Sequence, residues 1–274
     1  MLTNEELRLV YERALIPEHL PSYVEAVSSG EPYLQDDCLC FARRKHLIFI
    51  GYPLGTETGN PSQSFESACE RFRPTTVSVI TPRLWFRDAT YKTQSRDSYY
   101  KLDLPLETIP PELAYMIRRA SREVAVGEGT FGRAHRKLIN EFISGHGLSE
   151  EYRQIYKRIP HYLERSKTAR LLEARRENTL IAFAIADLGS ARYAFYLFNI
   201  RSTNEHVPGA SDMLFYEMVK LSQSEGKTAI NLGLGIHPGV RRFKEKWGGT
   251  PFLPYCSAFI RRDPLEMDGL VNKL

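Results

Sequence analysis

Between Asn204 and Gly249 the sequence gathers residue types that bind anions and move protons. Gly209 lets the backbone approach a ligand closely and leads through Ala210, Ser211 and Asp212 into a helix start. Unpaired amides and the helix dipole favour an anion there, such as a pyrophosphate or a tRNA phosphate. Taken alone, Ser211 is an N-cap, and Asp212 in the first turn either suits the dipole or repels a phosphate. Asn231 and Gly233, where a short strand runs into glycines, join this donor-binding set. Downstream, Arg241-Arg242-Phe243-Lys244-Glu245-Lys246-Trp247 crowds cations onto one short helix. Arginine suits bidentate contact with oxyanions, but adjacent arginines point to different helix faces, so one of Arg241 and Arg242 lines a site. A lysine such as Lys244 beside a developing oxyanion counts most where water is scarce; a solvated helix face is the other fate of such a run. Phe243 and Trp247, four residues apart, read as core. The strand Arg192 to Ile200 carries no acid, so the candidate proton acceptors are Glu205 and His206 just past its end.

Periodicity and turn residues say what must hold these groups. From Glu123 the chain reads as strand (to Val126), helix (Arg133 to Ser144), helix (Glu150 to Arg165) and three strands, Ala169 to Arg175, Thr179 to Asp187 and Arg192 to Ile200. A helix from Ser211 to Ser224 ends at Gly226, then come a strand (Thr228 to Leu232), a short helix (Val240 to Trp247) and a last strand (Phe252 to Arg262). Before the proline-rich stretch Pro105 to Pro111 and the helix Glu112 to Arg122, the first half repeats the later part of that order. It has a helix from Asn4 to Ala14 with a Thr3/Glu6 capping box, and a hairpin of Asp37 to Arg43 with Lys45 to Pro53. A polar loop (Gly55 to Pro61), a helix (Ser62 to Phe72), a strand (Thr75 to Ile80), a short helix (Pro82 to Arg87) and a strand (Asp97 to Leu104) follow. The boundary falls at Pro105 to Pro111, giving domains 1-109 and 110-274.

At 274 residues, 42% hydrophobic and 26% charged, the chain reads as globular, with a core that needs no metal or disulfide staple. Its net charge of +4 permits a phosphate-bearing partner without demanding one. Cys38 and Cys40 share a strand face, but no second pair or nearby histidine completes a metal site, so all four cysteines read as reduced thiols of a cytoplasmic protein. The start Met1 to Glu6 lacks the pattern of a signal peptide, and no window approaches the ~18 apolar residues of a membrane span. Basic residues interleaved with Tyr152, Tyr156 and Tyr162, from Arg118 to Arg176, suit a tRNA or an anionic membrane surface, or a solvated helix face.

The stretch Pro208 to Tyr255 carries a resemblance. Its Asn231-Leu232-Gly233 strand, followed by Arg241-Arg242-Phe243-Lys244-Glu245-Lys246-Trp247-Gly248, resembles the C-terminal domain of phosphatidylglycerol lysyltransferases and, more widely, FemAB-type aminoacyltransferases. The element order of the second half is likewise similar to the N-acetyltransferase (GNAT) fold. The resemblance implies a mixed α/β fold, a mainly antiparallel sheet flanked by helices, with a truncated GNAT-like N-terminal half before a complete one. It implies an acyltransferase that moves an acyl or aminoacyl group from acyl-CoA or aminoacyl-tRNA to an amine or hydroxyl, without a metal. Many GNAT enzymes place a tyrosine in the final helix as Tyr-x-x-x-Gly-Phe; aligning Gly248-Gly249 puts Lys244 at that position, where FemAB-type enzymes also have lysine, thought to stabilise negative charge. The usual pyrophosphate loop, Arg/Gln-x-x-Gly-x-Gly/Ala, is reduced here to Gly209-Ala210, which favours the tRNA donor over CoA. A catalytically inactive GNAT-like module binding nucleic acid or a protein partner is the alternative. Nothing in the sequence fixes the oligomeric state.

Overall fold

The computed structural model describes residues 1–55, 60–86 and 91–262. Helix α1, Asn4–Arg13, starts in the expected capping box: the Thr3 amide donates to Glu6 Oε2 (2.6 Å) and the Glu6 amide to Thr3 Oγ1 (3.2 Å). A 3₁₀ turn, Pro17–His19, and α2, Pro21–Ser28, follow. Both open on a proline, Pro17 and Pro21, because a proline at a first helical position forfeits an amide that would be unpaired anyway. Strands β1 (Glu31–Gln35), β2 (Cys38–Arg43) and β3 (His46–Ile50) form an antiparallel meander. Pro32 hid β1 from the sequence pattern; β1 is the edge of the sheet, where a missing amide is tolerated. Helix α3 (Pro61–Phe72), β4 (Thr76–Thr81) and β5 (Tyr91–Asp103) complete this half. The short helix expected from Pro82 does not form over Pro82–Phe86, and Arg87 lies outside the described residues, as do residues 56–59 of the expected polar loop.

The second half runs α4 (Pro111–Ala120), β6 (Ala125–Glu128), α5 (Arg133–Gly145), α6 (Glu150–Lys157) and α7 (Ile159–Arg165). The single helix expected over Glu150 to Arg165 is broken at Arg158, because Pro160 cannot continue the hydrogen-bond ladder. Then come β7 (Ala169–Arg176), β8 (Thr179–Asp187), β9 (Tyr193–Arg201), α8 (Ala210–Ser224), β10 (Ala229–Leu234), α9 (Pro238–Lys246) and β11 (Thr250–Arg261).

All of these strands join one sheet in the order β1-β2-β3-β4-β11-β5-β10-β9-β8-β7-β6. Each half therefore ends in a long strand that inserts into the other half: β11 lies between β4 and β5, and β5 between β11 and β10. The sheet runs unbroken across the expected boundary near residue 109. Both halves share an antiparallel meander, a helix, a strand parallel to the last meander strand, and a long closing strand. The first half has no counterpart of β6 among the described residues.

Side-chain alternation on β8 separates two layers of core. Ala182, Ala184 and Ala186 face α8, where their small size admits Phe215 and Met218; Phe183 and Ile185 face α5 and α7, against Leu138, Ile139 and Tyr162. Sheet faces so covered leave the strand ends as the places where a ligand can enter.

Candidate active site

Such an end is built where β9 and β10 part. These parallel strands pair only from Tyr193/Ala229 to Phe195/Asn231, and beyond that β10 stays paired with β5 alone. A crevice beyond the carboxyl ends of parallel strands is a recurrent ligand position. Asn231, fully buried, shapes the divergence: its Oδ1 accepts the Gly233 amide (2.8 Å) and its Nδ2 donates to the Leu15 carbonyl (2.8 Å). The chain bulges between Asn231 and Gly233, and Gly233 takes φ +73°, a left-handed conformation that favours glycine. A Cβ there would sit 3.8 Å from the Tyr196 carbonyl and 3.9 Å from Lys244 Nζ, so a side chain would reach into the gap.

Lys244 closes this gap from α9. The helix begins at His237, whose Nδ1 accepts the Gly239 and Val240 amides. It is anchored by Trp247 and Phe243, whose rings meet Phe215 at 4.8 and 5.7 Å. That packing leaves Lys244 only 3% exposed within a cation-rich helix. Its Nζ donates to the Leu234 carbonyl and stands 5.6 Å from the centre of the Tyr100 ring on β5. Burial pushes the Lys244 ammonium down to about 7, opposed by the attraction of Asp97. Asp97 itself accepts the Ser98 and Ile236 amides at 2.8 and 2.7 Å. The result is a buried ammonium whose charge is in play near neutrality.

The remaining candidates divide. Ser211 Oγ donates to Asn199 Oδ1 (3.0 Å), and Asn199 Nδ2 donates to the Tyr196 hydroxyl (2.6 Å), so the start of α8 is tied to the diverging part of β9. Ala210 is buried beside it. Gly209 has φ +85°, and the Met116 carbonyl lies 2.5 Å from where its Cβ would be. That side of the turn is filled by α4. Asp212, buried, accepts from Trp247 Nε1 (3.0 Å) and pairs with Lys246 (2.6 Å), which joins α8 to α9. Arg241 and Arg242 are exposed on α9. Glu205 pairs with Arg176 at the far end of β7, and His206 is exposed; neither contacts Lys244. Sequence reasoning missed Tyr100, Tyr196 and Asn199, which the gap brings beside Lys244 and Ser211. Asn199 was visible as a lone amide in an apolar strand.

Elsewhere, an open groove of about 600 Å³ on α5 is lined by Arg133, Arg136, Lys137, Asn140, Glu141 and Ser144. It lies on the face of the sheet opposite α8. Cys38 and Cys40 are buried in an apolar cluster that raises both thiols to about 12. Among the described residues no three His, Cys, Asp or Glu side chains cluster as metal ligands, and no helix is long and apolar enough to cross a membrane.

No protein-family model and no curated protein matches the chain. Solved structures do. L-PGS from Bacillus licheniformis superposes with a TM-score of 0.60 at 17% identity, over 99% of this chain and 96% of that one. FemX gives 0.61 at 11% identity, over 93% and 96%. The tandem GNAT protein from the clavulanic acid biosynthesis pathway gives 0.50 at 12% identity, over 83% and 79%. This chain has the tandem GNAT fold. Within that fold the first half is the shorter repeat, and the gap between β9 and β10 belongs to the second.

Proposed function

We propose that the protein is an acyltransferase, with residues 1–109 and 110–274 as its two GNAT-like domains, and that transfer takes place in the gap between β9 and β10. The observation that carries this reading is Lys244: a buried ammonium bonded to a backbone carbonyl, at the point where two parallel strands separate. Placed beside an acyl carbonyl, it offsets the charge that develops on oxygen when a nucleophile attacks, and a water-poor setting strengthens that effect. Its lowered proton affinity suits it to hand a proton to the leaving group. Gly233 keeps room for the carbonyl. Asn199 and Ser211 offer hydrogen bonds along the donor, and Arg241 and Arg242 lie outside for its phosphates.

The donor is an aminoacyl-tRNA or an acyl-CoA, and the acceptor an amine or a hydroxyl. Two features favour the tRNA. The turn at Gly209 keeps only the end of the pyrophosphate-loop pattern and has α4 packed against one side. The groove on α5 gathers Arg133, Arg136 and Lys137, as contact with a polyanion requires. The four unpaired cysteines support a reducing, cytoplasmic setting. Calorimetric titration with acetyl-CoA and CoA tests the donor: one-site binding assigns the enzyme to CoA chemistry, and absence of binding removes that donor and leaves charged tRNA, or a module without catalysis, to be tested next.

The same groove supports a second reading, a GNAT-like module without catalysis that holds nucleic acid or, through the same charge, an anionic membrane or protein surface. On that reading RNA binding weakens steeply with salt while no donor is consumed.

A further inference from the structure

Between β10 and α9 the chain makes a short bridge, Gly235-Ile236-His237, in a conformation its sequence does not favour. Ile236 takes φ +53°, a left-handed backbone that is strained for a β-branched residue, and its side chain stands 61% exposed. Neighbouring groups must hold it there. The Ile236 amide donates to Asp97 Oδ2 (2.7 Å), and the Gly235 amide donates to the Ser98 carbonyl (3.2 Å). Asp97 is itself fixed, since its Oδ1 accepts the Ser98 amide (2.8 Å). Gly235 makes room for this contact: a Cβ there would lie 2.7 Å from Asp97 Oδ1 and 2.9 Å from Arg241 Nε. Asp97 and Ser98 belong to β5, so a bridge of the second half is held in a strained shape by the closing strand of the first.

The bridge begins directly after Leu234, whose carbonyl accepts from Lys244 Nζ. The direction of that carbonyl is set by the path of the chain through Gly235 and Ile236. Around Lys244 the charged and titratable groups leave Asp97 as the anion at hand. Tyr100 on β5 presents its ring. On β9, Tyr196 stacks on Phe243 and its hydroxyl accepts from Asn199. On α8, Asp212 is engaged by Lys246 and Trp247. On α9 itself, Arg241 lies one turn before Lys244, beside Asp97 at Gly235. Arg242, Glu245 and the capping His237 are exposed. The attraction of Asp97 accordingly opposes the effect of burial on Lys244.

We infer that Asp97 is the positioning residue of the Lys244 site: it locks the bridge so that the Leu234 carbonyl meets Lys244 Nζ, and its negative charge keeps the buried lysine an ammonium. The shorter first half thereby acts in the chemistry of the second through one carboxylate. This rests on Lys244 as the transfer group proposed above, while the arrangement itself can be read without turnover. A nearby carboxylate favours the charged form of an amine. Removing its charge therefore lowers the pH at which Lys244 gives up its proton. Because the ammonium is the form that protonates a leaving group, the loss of activity on the alkaline side moves to lower pH as well.

The test is nitrogen-15 NMR of the full-length protein with labelled lysine, following Lys244 Nζ against pH in wild type, Asp97→Asn (D97N) and D97E, with K244R assigning the signal. D97N is expected to lower the midpoint by on the order of one pH unit, and D97E to restore part of it. Hydrogen exchange at the Ile236 amide should quicken in D97N by about tenfold or more, as loss of a bond to a charged acceptor requires. Wild type alone supplies a second measurement should D97N not fold. The carbon-13 signal of the Asp97 carboxyl must step at the Lys244 midpoint, because the coupling of two charges is reciprocal. An unchanged midpoint, unchanged exchange at Ile236, or an Asp97 signal without that step overturns the inference. The outcome is separable from acyl transfer itself: a lowered midpoint in D97N with no donor consumed by wild type keeps the positioning role and removes the transferase. A donor consumed by wild type, with a midpoint that D97N leaves in place, does the reverse. With an active donor, D97N moves the falling alkaline limb of the pH profile by the same interval as the NMR midpoint; a limb that stays in place overturns the role of Asp97 in the reaction.

Discussion

Lys244 Nζ stands 5.6 Å from the centre of the Tyr100 ring, and the two residues come from opposite halves of the chain. The contact exists because β5, the closing strand of the first half, is inserted beside β10 of the second. The candidate site is therefore a product of strand exchange between the repeats. Removing either half would open the wall that keeps water from the lysine.

The buried charge of Lys244 makes stability depend on pH. Unfolded, its ammonium has the ordinary pKa of 10.5; folded, it has about 7. Between those values the unfolded chain binds the extra proton, so this group's contribution to stability rises with pH across that window and is least favourable below pH 7. Lys244→Met should therefore be more stable than wild type at pH 6, by on the order of 1 kcal/mol or more. The advantage should fade towards pH 10. Urea unfolding at both pH values checks this.

Gly209 is a packing requirement in this fold. With φ +85° and the Met116 carbonyl 2.5 Å from a would-be Cβ, Gly209→Ala must strain the turn or push α4 away from α8. A loss of about 1–3 kcal/mol is expected. Donor affinity measured well below the melting temperature should change less than stability does.

Asp212 joins α8 to α9 through Trp247 and Lys246. Asp212→Ala leaves the buried indole N–H without its acceptor and should cost about 2–3 kcal/mol. Asp212→Asn keeps an acceptor for Trp247 and should recover part of that loss. Thermal unfolding of the two variants separates the contributions.

Asn231 uses both ends of its amide, one on Leu15 and one on Gly233. Asn231→Ala leaves a part-buried carbonyl and a part-buried amide without partners and should destabilise by about 1–3 kcal/mol. Asn231→Asp can still accept from Gly233 but cannot donate to Leu15, so it should not rescue the fold. Hydrogen exchange at the Gly233 amide should quicken in the alanine variant.

Local signals were legible in the sequence where the structure is local. The Thr3/Glu6 box, the meander from Ala169 to Ile200, and α8 with Gly226 behind it all follow from periodicity and capping. The arginine-lysine run marked α9, but not that Lys244 would be the one cation buried among Arg241, Arg242 and Lys246. Beside the packing of α9 on Phe215, it faces Tyr100, a residue distant in the chain that reaches it only through strand exchange. The sequence reading left the stretch around Pro17, Pro21 and Pro32 unassigned, and the fold uses these prolines at helix starts and on an edge strand. Glu205 was chosen for its place after β9; the β7–β8 hairpin was legible, but not that its Arg176 would reach across to pair with Glu205.

The most direct measurement follows donor consumption by wild type and Lys244→Ala, with radiolabelled aminoacyl-tRNAs and acetyl-CoA offered in parallel with a mixture of amines and alcohols. The account predicts that wild type transfers label from one donor class, and that Lys244→Ala, still folded, does so slower by about 10²–10³. Equal transfer by the two proteins, or no transfer by wild type from either donor, would contradict it.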